Sequence, residues 1–186
     1  MRRILLSVLL CFVVLSACAG DDGHIRPAID FRAALVQSGG CSFTGEITAD
    51  DGECIQIFRL SCDADAGGAL SFTILEPETL EGISATVTEG GERLDYDGLS
   101  VDLGLLADES LAPAAAPGVI LQSWLEGYIL WGGESEECYE VTYEQELNQV
   151  LLKVVTTFKN NLPISAEVCY NNGRILQMKI EEFQFH

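Results

Sequence analysis

The sequence of 186 residues has 29 acidic and 10 basic side chains, a formal net charge of −19 at pH 7. Two of the basic residues are among the first three, so the chain beyond residue 17 has 29 acidic and 8 basic side chains, a net charge of −21. This excess argues against nucleic-acid binding and against electrostatic attachment to anionic lipids, and it favours solubility over a face shaped for a basic partner.

Residues 4–17 form an apolar run of about fourteen residues, the length of a signal-peptide core and short of the roughly 20 residues that span a bilayer. The run ends in Leu15-Ser16-Ala17-Cys18, which resembles the bacterial lipobox. In lipobox proteins the cysteine thiol receives a diacylglyceryl group, and two acyl chains hold a protein firmly on a membrane. Ordinary cleavage after Ala19 and an uncut short anchor are the alternatives.

The lipobox divides the chain into a signal peptide at 1–17, a lipidated Cys18 with a spacer at 18–27, and one domain at 28–186. A domain of this length buries a sizeable core, and the length gives no reason to expect two domains. We therefore expect an extracytoplasmic protein that is lipid-anchored to the cell membrane or the outer membrane.

The first predicted element of the domain is a helix at 28–40, which has apolar residues near helical spacing and ends in two glycines. From residue 41 the apolar residues alternate with a period of two, and Asp51-Gly52 is a strong signal for a two-residue hairpin turn. Folding about this turn places Phe43 opposite Leu60, with the apolar side chains of both strands on one face.

The same register places Cys41 opposite Cys62, at a non-hydrogen-bonded pair where Cα atoms lie about 4.5 Å apart. We predict a cross-strand disulfide there in an oxidising compartment, and a reduced pair packed as small apolar residues is the alternative. Cys54 is predicted to be a buried thiol. Cys138 and Cys169 are predicted to be unpaired because one strand lies between the two strands that carry them. The sequence has no C-x-x-C spacing that would indicate zinc.

Apolar alternation continues in a third strand at 70–74, after a loop. A second hairpin is predicted about Gly90-Gly91, with Val87 opposite Leu94. Asp97-Gly98 then turns the chain into a further strand.

Residues 114–131 break the alternation and show helical spacing after Pro117, so we predict a helix that lies against the sheet. Four strands then close the chain, at 136–144, 149–158, 163–170 and 174–185. The last two pair Val168 with Leu176 and Ala166 with Met178 across a short loop. The pattern predicts an α+β fold with a curved antiparallel sheet of about nine strands, an N-terminal helix and an inserted helix.

The order of helix, hairpins, inserted helix and further hairpins resembles the LolA/LolB lipoprotein-carrier fold, over residues 28–185. Four segments carry the resemblance: FTGEIT, LSFTILEPETLEGISATV, YDGLSVDL and NNLPISAEVCYNNGRILQMKIEEFQF. The resemblance implies an incomplete β-barrel whose concave face is lined with aromatic and aliphatic side chains and covered by the helices. In the carriers this cavity holds the acyl chains of lipoproteins, whereas other proteins of the fold serve different partners.

The resemblance implies that apolar side chains of the predicted sheet and inserted helix line the ligand cavity. They are Phe43, Phe58, Leu60, Phe72, Ile74, Trp124, Tyr128 and Phe158. An ordinary hydrophobic core made of the same residues is the alternative. No residue matches the arginine that latches the lid of the carriers' cavity, because Arg59 and Arg93 both fall on faces assigned to solvent.

The sequence gives little support for catalysis. Its two histidines, His24 and His186, lie in the spacer and at the last position. It has no nucleophile elbow, phosphate-binding loop, dinucleotide-binding motif or H-E-x-x-H motif. The paired aspartates at 63–68 lack the later ligands of a calcium loop and indicate a turn. We therefore predict neither an enzyme nor a site for a metal or a cofactor.

The predicted function is that of a membrane-anchored envelope lipoprotein that binds an apolar ligand, an acyl chain or lipoprotein lipid, in a half-barrel cavity. The alternative is a non-catalytic envelope interaction protein that holds or regulates a protein partner, such as a cell-wall enzyme, through its surface or an open sheet edge.

Overall fold

The computed structural model describes residues 24–50, 55–87, 93–102, 111–135, 137–171 and 173–186. The predicted signal peptide, Cys18 and most of the predicted spacer lie outside these residues. So do Cys54 and the two predicted hairpin turns at 51–52 and 90–91.

The first helix, α1, spans Arg26–Ser38 and confirms the predicted N-terminal helix. Ala28, Phe31 and Leu35 form its buried side, at the spacing of one helix face. The helix ends at Gly39, whose φ of 86° lies in the left-handed region that favours glycine and whose N–H donates to the Val36 carbonyl. The chain then enters the sheet at Gly40.

The described residues form eleven antiparallel strands in one sheet. They are β1 Gly40–Asp50, β2 Ile55–Asp65, β3 Leu70–Glu76, β4 Ser84–Val87, β5 Arg93–Tyr96, β6 Leu99–Asp102, β7 Tyr128–Ser135, β8 Cys138–Leu147, β9 Val150–Lys159, β10 Leu162–Tyr170 and β11 Gly173–Phe185. Their order in the sheet is β6-β5-β4-β3-β2-β1-β11-β10-β9-β8-β7. Strands β1 and β11 join the two halves, and no pairing within the described residues joins β6 to β7. The α+β class and the open curved sheet are confirmed, with two strands more than expected.

Several predicted strand pairings are confirmed. Val87 pairs with Leu94 between β4 and β5, and the turn at Asp97-Gly98 joins β5 to β6. Between β10 and β11 the pairs are Val168 with Leu176 and Ala166 with Met178, as predicted. The apolar alternation and the turn residues were sufficient to predict the pairing in these hairpins because their strands are short or their loops are tight.

The predicted register of the first hairpin is wrong by two residues. Phe43 lies opposite Cys62, and Cys41 lies opposite Ala64. The last pair before the turn is Asp50 with Ile55, so four residues connect the strands instead of two. A shift of two residues leaves every side chain on its predicted face, so the apolar pattern does not distinguish the two registers.

The predicted disulfide is absent, because both Cys41 and Cys62 are free thiols in the structure. They are buried on the same face of neighbouring strands, at diagonal positions. Burial, together with the charge of Asp63, raises the pKa of Cys41 to about 12, and burial raises the pKa of Cys62 as well. Cys138 and Cys169 are free as predicted. The buried pair behaves as two small apolar residues.

The predicted inserted helix is too long. The second helix, α2, spans only Ala116–Leu125 and follows a 3-10 turn at Pro113–Ala115. Residues 128–135, the first four of which belong to the predicted helix, form β7 and pair with β8. The run Tyr-Ile-Leu-Trp is rich in residues that favour strands, and β8 offers it an unpaired edge. Tertiary pairing therefore ends the helix at Leu125.

We expect the free energy of unfolding to fall as pH rises from 9 towards 12. Cys41 keeps its proton up to a pKa of about 12 in the folded chain but ionises near 9.0 when unfolded, so the stability it contributes is complete below pH 9 and is lost above it. Urea unfolding across this pH range should show a smaller fall for Cys41→Ala than for the wild type. Cys138→Ala, at a half-buried position, is the control, and identical pH profiles for the wild type and Cys41→Ala would contradict the prediction.

Candidate functional site

The space between the two helices and the sheet is filled by an aromatic cluster centred on Trp124. The Trp124 side chain is fully buried, and its indole N–H donates to the Thr156 hydroxyl at 3.0 Å. Its ring lies edge-on to Phe31 of α1 at 5.6 Å and to Phe43 of β1 at 6.0 Å between centroids. Phe183 of β11 contacts the same ring at 6.1 Å. These contacts join both helices to the middle of the sheet.

Most of the predicted cavity residues belong to this interior. Phe43, Leu60, Phe72, Trp124 and Phe158 are buried, and Phe58 and Ile74 are partly buried against them. Tyr128 is the exception: it lies on β7 and is 71% exposed. The prediction for Tyr128 is wrong because the residue belongs to a strand rather than to the helix.

Arg32 of α1 holds the C-terminal end of α2. Its Nε donates to the Trp124 carbonyl at 2.7 Å, and its Nη2 donates to the Ser123 carbonyl at 3.2 Å and the Gly127 carbonyl at 2.6 Å. The last carbonyls of a helix lack partners within the helix and carry partial negative charge, so a guanidinium is suited to them. We call these three hydrogen bonds the Arg32 latch.

The surroundings of the Arg32 latch are polar and partly removed from water. Burial lowers the pKa of Arg32, while the nearby Tyr143 and Glu126 oppose this effect, and arginine remains charged in proteins. The Arg32 guanidinium lies 5.9 Å from the centre of the Tyr143 ring. Burial raises the pKa of Tyr143, whose buried hydroxyl has no hydrogen-bond partner within the described residues. The Arg32 cation therefore lies against the face of the neutral Tyr143 phenol at the end of α2.

The other arginines considered from the sequence do not take this position. Arg59 is partly exposed and forms an ion pair with Glu181 at 3.1 Å. The Arg93 side chain lies outside the described part of the structure. Arg32 was missed because, within a predicted helix, nothing distinguishes it from a solvent-facing residue. Its one local signal is its position directly after Phe31, which is buried in the aromatic cluster.

A cavity of about 540 Å³ opens beside the first turns of α1 and reaches the aromatic cluster. Its lining includes Pro27, Phe31, Leu162 and Phe185. The Phe31 and Phe185 rings are 5.9 Å apart, so one wall of the cavity is the edge of the cluster. A neighbouring cavity of about 290 Å³ shares Pro27 and is lined by Tyr139 and Phe158. Trp124 is thus fully buried under α2, and the two cavities reach the edge of the aromatic cluster at the start of α1.

No family model and no curated protein matches the sequence. Among solved structures, a LolA-superfamily protein from Nitrosomonas europaea is 11% identical, with 86% of this chain and 93% of that one covered and a TM-score of 0.41. An outer membrane lipoprotein-sorting protein domain from Vibrio parahaemolyticus is 10% identical, with 90% and 94% covered and a TM-score of 0.40. The lipoprotein LppX from Mycobacterium tuberculosis is 11% identical, with 87% and 93% covered and a TM-score of 0.36.

These structures include the class of protein that the sequence resembles. At such low identities and TM-scores, the function has to be argued from the residues of this chain. Within the described ranges, no helix combines the length and apolarity needed to cross a membrane. The same ranges contain no group of three or more His, Cys, Asp or Glu side chains placed to hold a metal ion.

Removing the Arg32 latch should destabilise the fold measurably. We expect Arg32→Ala to lower the free energy of unfolding by about 2–3 kcal/mol, because a hydrogen bond to a charged group contributes roughly 1.5–3 kcal/mol and the freed carbonyls partly regain water. Arg32→Lys should lose less, since its single ammonium keeps the charge but cannot reach three carbonyls. Urea unfolding followed by circular dichroism measures both variants.

Arg26→Ala is the matched control for the Arg32 variants, since Arg26 lies on the same helix. Its exposed ion pair with Asp30, at 3.0 Å, is of a kind that contributes only about 0.3–0.5 kcal/mol. Equal losses in Arg32→Ala and Arg26→Ala would mean that the latch adds nothing to stability.

Proposed function

We propose that this protein is a lipid-anchored extracytoplasmic lipoprotein that binds an acyl chain between its sheet and helix α2. The observation that carries the proposal is the Arg32 latch, which holds α2 over an aromatic interior by hydrogen bonds from one side chain. In this proposal the structure is the closed, ligand-free form.

The chemistry of the interior suits an acyl chain. Phe31, Phe43, Phe158 and Phe183 provide a continuous apolar surface on α1 and the sheet once α2 moves away with Trp124. Burying an acyl chain on such a surface contributes about 0.8 kcal/mol per methylene group. A few methylenes therefore offset the hydrogen bonds of the latch, and further methylenes have to offset the burial that Trp124 loses when α2 moves. The cavity beside Phe31 gives the chain a place to begin.

The lipid anchor rests on the lipobox at Cys18 and on the charge of the domain. A net charge of −21 beyond residue 17 keeps the domain soluble but gives it no attraction to anionic lipids. Attachment to a membrane then depends on the two acyl chains of a lipidated Cys18.

A second candidate function is a non-catalytic protein that holds an envelope protein partner through an open sheet edge. It is favoured by β6, which has no strand on its outer side within the described residues and exposes 68% of Leu99. A partner strand could add to this edge through main-chain hydrogen bonds. Crosslinking in intact membranes should then recover one defined partner.

Acyl-chain binding is tested by displacement of a fluorescent fatty acid from purified residues 19–186, which include every described element. We expect saturable binding, and tighter apparent binding by Arg32→Ala, because loss of the latch raises the fraction of open molecules. Arg26→Ala should bind like the wild type. If neither the wild type nor Arg32→Ala binds saturably, the proposed ligand site is wrong.

Lipidation is tested by metabolic labelling with an alkyne fatty acid. We expect the wild type to be labelled and Cys18→Ala to be unlabelled, because the thiol that accepts the diacylglyceryl group is gone. Cys11→Ala is the matched control: it removes the other cysteine of the N-terminal region and should be labelled normally. Persistent labelling of Cys18→Ala would refute the lipobox interpretation.

A further inference from the structure

Strand β7, at one edge of the sheet, exposes three large apolar side chains close together. Tyr128 is 71% exposed, Leu130 42% and Trp131 52%. A β-bulge produces this cluster: Ile129 pairs with Tyr143 and Trp131 with Thr142, so Leu130 is an extra residue. We call Tyr128, Leu130 and Trp131 the β7 patch.

The β7 patch lies where the chain enters the domain. A Cβ built on Gly132 would overlap the His24 carbonyl, so the first described residue contacts the strand directly after Trp131, on the face opposite to the Trp131 side chain because successive side chains of a strand alternate. Cys18 precedes His24 by six residues, and six extended residues span at most about 20 Å. A lipid on Cys18 therefore holds this part of β7 within about 20 Å of the bilayer surface.

We propose that the β7 patch docks on the headgroup region of the bilayer to which Cys18 anchors the chain. This inference rests on the anchoring part of the proposed function. Trp and Tyr suit the boundary between headgroups and acyl chains because each combines an apolar ring with a polar N–H or O–H. Leu130 adds apolar area at the same place.

The charges around the patch indicate which lipid headgroups it can meet. Glu144 pairs with Tyr128 and Glu140 with Gly133, so carboxylates of β8 lie beside the patch. Anionic headgroups would be repelled at this surface, whereas zwitterionic phosphatidylcholine or phosphatidylethanolamine would not.

A lipid surface fits the patch better than a protein partner does. A stable protein interface buries roughly 800 Å² on each side, more than three side chains provide. Docking on a bilayer needs only weak affinity, because the anchor already keeps the patch at a high local concentration of lipid.

The test uses the two tryptophans of the full-length lipoprotein, reconstituted in phosphatidylcholine vesicles whose acyl chains carry bromine. Trp124 is fully buried and Trp131 is exposed. The fluorescence emission that is lost in Trp131→Phe therefore comes from the patch. The Trp124 emission that remains shows whether the variant is folded. We expect bromolipid to quench the Trp131 component and shift it to shorter wavelength. Adding phosphatidylglycerol at low salt should reduce this quenching, and added salt should restore it.

The matched control is Trp131→Phe/Leu99→Trp, which moves the exposed indole to the opposite sheet edge. It should float with the vesicles but escape quenching. Flotation without quenching of Trp131, or equal quenching at position 99, would overturn docking while leaving the anchor intact. Failure of the wild type to float would overturn both the anchor and the docking. Protection of Trp131 from acrylamide before lipid is added would show that a protein surface covers the patch, and would also overturn docking.

Discussion

The burial of the Trp124 indole is the interaction on which the arrangement of this molecule depends. A curved sheet with one apolar face must cover that face, and α2 does so by placing its largest side chain in the centre. The indole N–H is bonded to Thr156, so the ring is buried without an unsatisfied donor. Because Trp124 also contacts Phe31, its position determines how α1 and α2 lie relative to each other.

Burying α2 creates the need for the Arg32 latch. Its residues from Ala116 to Trp124 are all buried, so the carbonyls at its end have little access to water and must be bonded within the protein. Arg32 reaches them from the neighbouring helix because Phe31, one position earlier, already packs on Trp124. The apolar contact and the polar one thus fix the same junction. The apolar contact is spread over several rings, whereas the polar one depends on a single side chain.

Local patterns in the sequence account for much of the fold and for part of the site. Alternation and turn residues were enough for α1 and for the hairpins with tight turns, and apolarity was enough to assign Phe43, Trp124 and Phe158 to the interior. The predicted register of the first hairpin was two residues off because an apolar alternation with a period of two looks the same after a two-residue shift. Residues 128–131 were assigned to a helix because their strand partner lies elsewhere in the chain. Arg32 was missed for a related reason: the carbonyls that accept its hydrogen bonds come within its reach only after α2 has packed.

The Arg32 latch and the β7 patch share one stretch of backbone. Gly127, whose carbonyl accepts the 2.6 Å bond from Arg32, is followed directly by Tyr128, the first residue of β7. A displacement at the start of β7 would therefore change the bond to Gly127 before it changes the bonds to Ser123 and Trp124, which belong to the packed helix. In the proposed orientation on a bilayer, the strand that meets lipid begins one residue after a carbonyl that holds the interior closed. A movement of β7 on the membrane would therefore reach the closure first at Gly127.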